Sequence, residues 1–278
     1  MDYLTVCAIY RDEADFLEEW LEFHRLVGVQ RFFLYDNLST DSHREVLAPY
    51  ITEGAVLLKD WPQQPGQIPA YLDCLQEHRG NARWIAFLDI DEFLFSPTFA
   101  PLAEVLEPYE RWPGVHVNWA TFGPSGHETK PDGLVTESYT YRAPDNHPFN
   151  RMCKCVVDPA RTSGIGSVHA FNYGEEWAVD ENFQPLATRP RGQTQKSSWK
   201  RLRINHYFIK SKEQWMAKIA RPKGDDGVVR KNGYDSARYA EHAEMFSRVF
   251  DDTIQSYLPA LKAALTSETA VRPASQST

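Results

Sequence analysis

The first part of the chain alternates between two hydrophobic spacings. A short apolar run over residues 3–10, rich in Val, Ile and Tyr, is typical of a buried strand. Apolar residues then recur at helical spacing from Glu13, and Gly28 stands where a helix C-terminal cap belongs. The same alternation continues along the chain. The later segments are predicted strands over 31–36, 55–58 and 84–88 and predicted helices near 40–49 and 69–78.

This order of strands and helices favours a parallel sheet with flanking helices, because successive parallel strands need a crossover connection. The rhythm breaks after Asp91, where loops rich in Gly, Pro, Asn and His separate short apolar segments. Residues 266–278 are rich in Ser, Thr and Ala and are predicted to be a disordered tail. The predicted class is therefore α/β, in one domain over 1–265. The later elements are predicted strands over 115–119, 134–141 and 153–157 and helices over 211–221, 236–250 and 253–265.

Composition narrows the class of protein. The chain has 278 residues, of which 42% are hydrophobic and 24% charged, as in soluble globular proteins. No apolar run reaches the roughly 18 residues of a membrane span, and the N-terminus lacks the features of a signal peptide. The net charge of -8 argues against binding to nucleic acid. The four cysteines form no Cys-x-x-Cys pair, so we expect a reducing, cytoplasmic environment.

Charged side chains follow the predicted strands of the sheet. Arg11 and Glu13 follow the first strand, Asp36 the second, and Asp89 and Asp91 the fourth. Open parallel sheets bind ligands beyond the carboxyl ends of their strands. If residues 89–91 were extended, both carboxylates would point to one side and could share Mn²⁺ or Mg²⁺, hard cations that take oxygen ligands. The alternative is a solvated strand end without a metal.

Four blocks of sequence carry a family resemblance. They read YRDEADFLEEW (10–20), YDNLSTD (35–41), LDIDEFL (88–94) and NHYFIKS (205–211). Their joint order, over about residues 3–221, resembles glycosyltransferases of the family-92 and family-2-like kind. The resemblance implies a GT-A-like fold with a mainly parallel nucleotide-binding sheet. The implied parts are a nucleotide-binding half over about 1–95, a mixed acceptor half over 96–210 and C-terminal helices over 211–265.

The resemblance also implies a reaction. It is the metal-dependent transfer of a sugar from a nucleotide diphosphate sugar, with inversion at the anomeric carbon and with Mn²⁺ or Mg²⁺ as cofactor. UDP-sugar is the expected donor, with galactose preferred by analogy. The expected acceptor is a glycan or a lipid-linked glycan, and peripheral contact with a membrane is compatible with it. The oligomeric state is left open.

Several residues take roles from the resemblance. Asp36 is similar to the carboxylate that accepts a hydrogen bond from the donor's uracil, and Arg11, Glu13 and Asp89 look like further nucleotide contacts. The alternative for Asp36 is an Asx-turn residue, since Asn37 and two hydroxyl residues follow it. The alternative for Arg11 and Glu13 is an ordinary helix start, where acidic residues favour the helix dipole.

A late His-Tyr-x-x-Lys block supplies the remaining candidates. By the resemblance, His206 completes the metal site with Asp89 and Asp91, and Lys210 contacts the diphosphate. A neutral imidazole is a competent ligand for Mn²⁺. His169 is the rival ligand, and a histidine hydrogen-bonded in the core is the alternative for His206.

The general base is left open by the sequence. His127, Glu128 and Asp145 lie in the middle loops and are the candidates, with His169 and Asp180 as further titratable groups. Nothing in the spacing chooses among them.

Two other classes of function were weighed. A nucleotidyltransferase shares the sheet and paired aspartates, but it needs a glycine-rich phosphate loop after the first strand, where this chain has Arg11 to Ala14. A non-catalytic module that binds nucleotide sugar or glycan would retain the fold without turnover.

Overall fold

The N-terminal part of the chain alternates strands and helices in a computed structural model that describes residues 1–186, 192–220 and 236–269. The strand over residues 2–10 pairs in parallel with the strands over 31–36 and 82–87, and the strand over 31–36 pairs in parallel with the one over 56–60. The predicted alternation and the α/β class are confirmed. The elements are β1 (Asp2–Tyr10), α1 (Ala14–Leu26), β2 (Arg31–Asp36), α2 (His43–Thr52), β3 (Val56–Asp60), α3 (Gln67–Glu77) and β4 (Ala82–Phe87).

After Asp91 the elements become shorter and mixed in type. The helix that begins at residue 236 ends at 245, before the predicted residue 250, and residues 253–257 form a 3-10 helix before the last helix. The elements are β5 (Glu92–Phe95), α4 (Leu102–Leu106), β6 (Gly114–Thr121), α5 (Val135–Ser138), β7 (Tyr141–Arg142), β8 (Cys153–Val157), β9 (Gly164–Ser167), β10 (Ala170–Asn172), β11 (Val179–Asp180), β12 (Arg203–His206), α6 (Lys212–Ile219), α7 (Ser236–Met245), β13 (Val249–Phe250) and α8 (Leu258–Thr269).

The predicted strand over 134–141 is wrong, because its first part is the helical turn α5. The carboxylate of Glu19, on α1, accepts the backbone N–H groups of Val135 and Thr136 at 2.7 and 2.9 Å and the Thr136 hydroxyl at 2.8 Å. A buried carboxylate thus satisfies N–H groups that a helix start leaves without partners. The stabilising group lies 116 residues away from Val135 in sequence.

One sheet joins the two parts of the chain. Its order is β3-β2-β1-β4-β8-β6-β12-β5, and β11 pairs with β6. β8 is antiparallel to both β4 and β6, whereas β12 is parallel to β6 and antiparallel to β5. The chain therefore leaves the middle of the sheet at the end of β4 and re-enters at its edge as β5. Residues 88–91 make this crossing.

Two apolar clusters cover the two faces of the sheet. Val6 and Ala8 belong to the cluster that contains Trp20 of α1, and Cys7 belongs to the cluster that contains Tyr71 of α3. Successive side chains of a strand point to opposite faces, so β1 is buried on both sides. This explains why its sequence is a continuous apolar run.

The C-terminal helices pack on the same core. Helix α8 contacts α1, and Leu261 is fully buried there. Because α8 continues to Thr269, the predicted tail begins too early at residue 266, and residues 270–278 lie outside the described chain. None of the helices in the described ranges combines the length and apolarity needed to span a lipid bilayer.

Candidate active site

A cavity of about 310 Å³ opens beyond the carboxyl ends of β1, β2, β4 and β12. Open α/β sheets bind ligands at this edge. Carboxylates outnumber lysines on its wall, so the cavity attracts cations, while the lysines offer contacts for an anion. Its charged residues are Asp12, Glu13, Asp15, Asp41, Asp91 and Glu213 on the acidic side and Lys130, Lys210 and Lys218 on the basic side.

Hydrogen bonds between two loops build the acidic wall. Asp12 has a left-handed backbone, with φ of 53°, and its carboxylate accepts the backbone N–H of Thr40 at 2.7 Å. The carboxylate of Asp41 accepts the N–H of Ala14, at the start of α1, at 2.8 Å. These contacts tie the loop after β1 to the loop after β2. They place Asp12, Glu13 and Asp41 on one wall of the cavity.

Asp91 is the last residue of the segment 88–91, and its side chain faces His206 at the end of β12. The Tyr207 backbone N–H donates to the Asp91 carbonyl at 2.9 Å, which fixes the segment against the end of β12. The His206 Nε2 lies 3.6 Å from the Asp91 Oδ1, and the Lys218 ammonium of α6 contacts the Asp91 Oδ2. Asp91 is therefore held between an imidazole and an ammonium group.

The pKa values of this pair follow from burial and charge. Burial raises the pKa of Asp91, but Lys218 and His206 outweigh it and hold that pKa well below its usual range. Burial lowers the pKa of His206, against the opposing effect of Asp91. At neutral pH we therefore expect a charged carboxylate beside a neutral imidazole, both of which can ligate a metal.

Asp89 has different partners from Asp91. Its Oδ1 accepts the Gln67 side-chain amide at 2.8 Å, and its Oδ2 accepts the Lys154 ammonium at 2.9 Å. The two carboxylates diverge because residues 89–92 form a turn, in which the Glu92 N–H donates to the Asp89 carbonyl at 3.0 Å. The extended conformation that would direct both to one side is not adopted.

Asp91 and His206 together offer two neighbouring donor atoms for a divalent cation. Asp91 Oδ1 and His206 Nε2 are adjacent, and the described residues hold no group of three or more His, Cys, Asp or Glu side chains that could enclose a metal. Mg²⁺ commonly binds through one or two carboxylates together with substrate phosphates and water. A cation shared with a diphosphate fits this donor pair, and whether Asp89 is also a ligand stays a prediction.

His169 and His206 both contact the ring of Trp119. The Trp119 ring lies 4.1 Å from the His206 ring and 5.2 Å from the His169 ring, between centroids. His169 Nδ1 is 3.0 Å from the Cys153 carbonyl, which assigns it a donor role. Burial and the charge of Lys154 lower the pKa of His169 to about 3. Of the two histidines, His206 is the one that faces Asp91.

Lys210 lines the cavity, and its contact with a diphosphate stays a prediction. Its ammonium sits over the Phe16 ring, 3.6 Å from the centroid, and both residues line the cavity. Burial lowers the pKa of Lys210, while Glu13 and Asp91 raise it. The structure thus brings Lys210, Glu13 and Asp91 together around one cavity.

Arg11 and Asp36 are not among the residues that line the cavity. The Arg11 Nε is 3.7 Å from the Asp12 carboxylate. Asp36 is buried, and its Oδ1 accepts the Ser39 N–H at 2.9 Å, while its Oδ2 lies 3.7 Å from His43. This is the turn geometry that the sequence allowed for Asp36. It leaves the predicted uracil contact as a prediction.

The three candidate bases are not among the described residues that line the cavity. His127 is half-buried, with Nε2 3.1 Å from the Ser138 carbonyl. Glu128 is exposed and pairs with Lys212 at 3.3 Å. Asp145 is exposed and pairs with Arg142 at 2.7 Å. Their assignment as bases stays a prediction.

Three residues at the site were not predicted from the sequence. Lys154 and Glu92 are fully buried beside Asp89, and Lys218 contacts Asp91. A lysine inside the apolar run Cys153–Val157 was a usable signal, since lysine is almost never buried without a partner. No local pattern pointed to Lys218, because its contact depends on how α6 packs.

Comparison with known proteins gives the family. Residues 2–219 match the model of glycosyltransferase family 92. A family 92 protein of Oryza sativa subsp. japonica is 36% identical over 180 residues, which cover 62% of this chain and 30% of that protein. The chain belongs to glycosyltransferase family 92, as its sequence motifs predicted.

Two further likenesses cover less of the chain. A galactan beta-1,4-galactosyltransferase of Arabidopsis thaliana is 29% identical over 106 residues, or 34% of this chain and 20% of that protein. The crystal structure of S. aureus TarS 1–349 in complex with UDP has a TM-score of 0.40 at 11% identity, over 57% of this chain and 47% of that chain. This chain spans about a third of the length of the curated family 92 relatives it matches.

Proposed function

We propose that this chain transfers a sugar from a nucleotide diphosphate sugar to a glycan or lipid-linked acceptor. The observation that carries the proposal is Asp91, which lines an acidic cavity at the strand ends and faces His206 behind that lining, in a family 92 chain. A UDP-sugar is the donor we propose. Galactose is proposed first as the sugar, because matched relatives are named galactosyltransferases.

The proposed roles follow from charge and position. Asp91 and His206 would hold Mn²⁺ or Mg²⁺, which supplies positive charge to a bound diphosphate. Lys210 and Lys218, on the same wall, would bind the diphosphate and stabilise the charge that develops on it as the sugar leaves. Direct displacement gives inversion, and the acceptor hydroxyl loses its proton to a base that remains among the proposed candidates.

A donor screen tests the proposal. The full chain is incubated with single nucleotide sugars and Mn²⁺ or Mg²⁺, and free nucleotide diphosphate is measured with and without candidate acceptors. We expect release of UDP from one UDP-sugar, and loss of that release in Asp91→Asn. The matched control is Asp132→Asn, which changes an exposed carboxylate outside the cavity lining.

The screen also separates the rival functions. Release of pyrophosphate from a nucleoside triphosphate and a sugar phosphate would indicate a nucleotidyltransferase. Tight UDP binding without cleavage of any donor would indicate a binding module. Either result, or activity that Asp91→Asn leaves intact, would overturn the proposal.

A further inference from the structure

A lysine is buried directly behind the Asp89–Glu92 turn. Lys154 is the second residue of β8, and its side chain is fully buried. Its ammonium donates to Asp89 Oδ2 at 2.9 Å and lies 3.7 Å from Glu92 Oε2. The same Glu92 oxygen accepts the backbone N–H of Asp89 at 2.9 Å. One buried cation therefore contacts two carboxylates that belong to one turn.

The energetics of this cluster favour a geometric role over a stabilising one. Removing charged groups from water costs several kcal/mol each, and the attraction inside the protein does little more than offset that cost. Neutral residues at both positions 154 and 92 would pack there without that cost. A buried ion pair of this kind is weak grounds for stability, so its retention calls for another explanation.

The two carboxylates differ in what they could do without the lysine. The Glu92 side chain is fully buried and cannot reach water, whereas the Asp89 side chain is 36% exposed and can. Without Lys154, the Asp89 Oδ2 would lose the ammonium that holds it in place, whether or not residue 92 is charged. Asp89 would then turn towards water and give up its hydrogen bond from Gln67.

We infer that Lys154 is a positioning residue, which fixes the Asp89 carboxylate and, through Glu92, the turn that directs Asp91 to His206. The inference rests on the proposed function, because it assigns Lys154 to the same site. Lys154 is not exposed to the cavity and acts only through Asp89 and Glu92.

The decisive variant is the double substitution Lys154→Met with Glu92→Gln. Met keeps the length of the side chain, and Gln keeps an oxygen that can accept the Asp89 N–H, so no uncompensated charge is buried. Lys200→Met is the matched control, because Lys200 is exposed. Each protein is assayed for UDP affinity by calorimetry with Mn²⁺, for kcat and KM with the active donor, and for its thermal midpoint.

We expect the double variant to keep a thermal midpoint near that of the wild type and to bind UDP about tenfold or more weakly, the scale of one charge-assisted hydrogen bond. In an Asp89→Asn background the same double substitution should add little further loss, because residues that act through one another are not additive. A purely structural role predicts the opposite pattern, in which restored neutrality restores UDP affinity.

A crystal structure of the double variant separates this inference from the proposed function. Because Asp89 Oδ2 loses its ammonium donor in this variant, we expect the carboxylate to turn towards water and leave Gln67, whatever the sugar donor is. An unmoved Asp89, or UDP affinity equal to that of the wild type, would overturn the role of Lys154. Failure of every donor with the wild type would instead overturn the proposed function, and the position of Asp89 would still decide the role of Lys154.

Discussion

Two histidines compete for the metal role, and the residues around them separate the two. His206 Nε2 faces Asp91, whereas His169 Nδ1 is engaged by the Cys153 carbonyl. We predict that His206→Ala weakens Mn²⁺ binding at least about tenfold in the presence of UDP, because a ligand is lost. His169→Ala should change it much less. Manganese titration followed by electron paramagnetic resonance measures both, and loss in the His169 variant alone would contradict the assignment.

Asp36 has two possible roles, as a contact for the uracil of UDP and as the acceptor of the Ser39 N–H in a turn, and two substitutions separate them. Asp36→Asn keeps an oxygen for the Ser39 N–H, whereas Asp36→Ala removes it. We expect UDP affinity to fall in both variants, by the few kcal/mol at most of a charge-assisted hydrogen bond. Stability should fall only in Asp36→Ala, by about 1 kcal/mol. If calorimetry gives the wild-type UDP affinity for both, Asp36 is a turn residue alone.

At the scale of elements, one carboxylate attaches α5 to α1. Glu19 is buried and accepts three hydrogen bonds from Val135 and Thr136. We predict that Glu19→Ala lowers the free energy of unfolding by about 3 kcal/mol, because buried donors lose their acceptor. Urea unfolding followed by fluorescence measures this.

Glu19→Gln is the matched variant for α5. It retains one carbonyl oxygen and should lose about half as much stability, since part of the hydrogen bonding survives. Equal stability of Glu19→Ala and the wild type would mean that α5 is held by its other contacts.

Helix α6 brings Lys218 to Asp91, and its start is well defined. The Ser211 hydroxyl accepts the Gln214 N–H at 3.3 Å, and the Gln214 side chain accepts the Ser211 N–H at 3.2 Å, which together make a capping box. The Tyr139 hydroxyl donates to the same Gln214 oxygen at 2.6 Å. The cap thus sets the helix direction, and the helix direction sets the site.

At the scale of the whole molecule, buried histidines make the fold sensitive to acid. Burial lowers the pKa of His24 and of His116 from 6.5 to about 4. Between these values the unfolded chain binds protons that the folded chain does not, so the free energy of unfolding falls as the pH falls. The burial of each histidine lowers the free energy of unfolding by up to about 3 kcal/mol as the pH falls, and the full decrease is reached below about pH 4.

The prediction is tested by urea unfolding at several pH values between 7 and 4. His116→Gln should show a shallower loss of stability across this range than the wild type, because one titrating group is gone. Other groups titrate in both proteins, so the difference between the two slopes isolates His116. Parallel slopes would contradict the role of its burial.

The sequence alone determined the elements of the first part of the chain and the family. The strands over 3–10 and 31–36 and the helix after Glu13 follow from the spacing of apolar residues, which is a local property. The blocks around Asp36, Asp89 and His206 were found because each is contiguous. Residues at strand ends, such as Glu13 and Asp91, were placed at one edge because parallel strands end there.

Only the tertiary structure decided which of these residues meet. Asp89 and Asp91 diverge because a turn replaces the extended segment, and their partners Lys154 and Lys218 lie 65 and 127 residues away in sequence. The helix at Val135 depends on Glu19 in the same way. Such contacts are set by how distant elements pack, and local spacing carries no record of that packing. The physical reason is that a long strand or helix reflects mainly its own residues, whereas a short turn such as α5, or a site, reflects the contacts between distant elements.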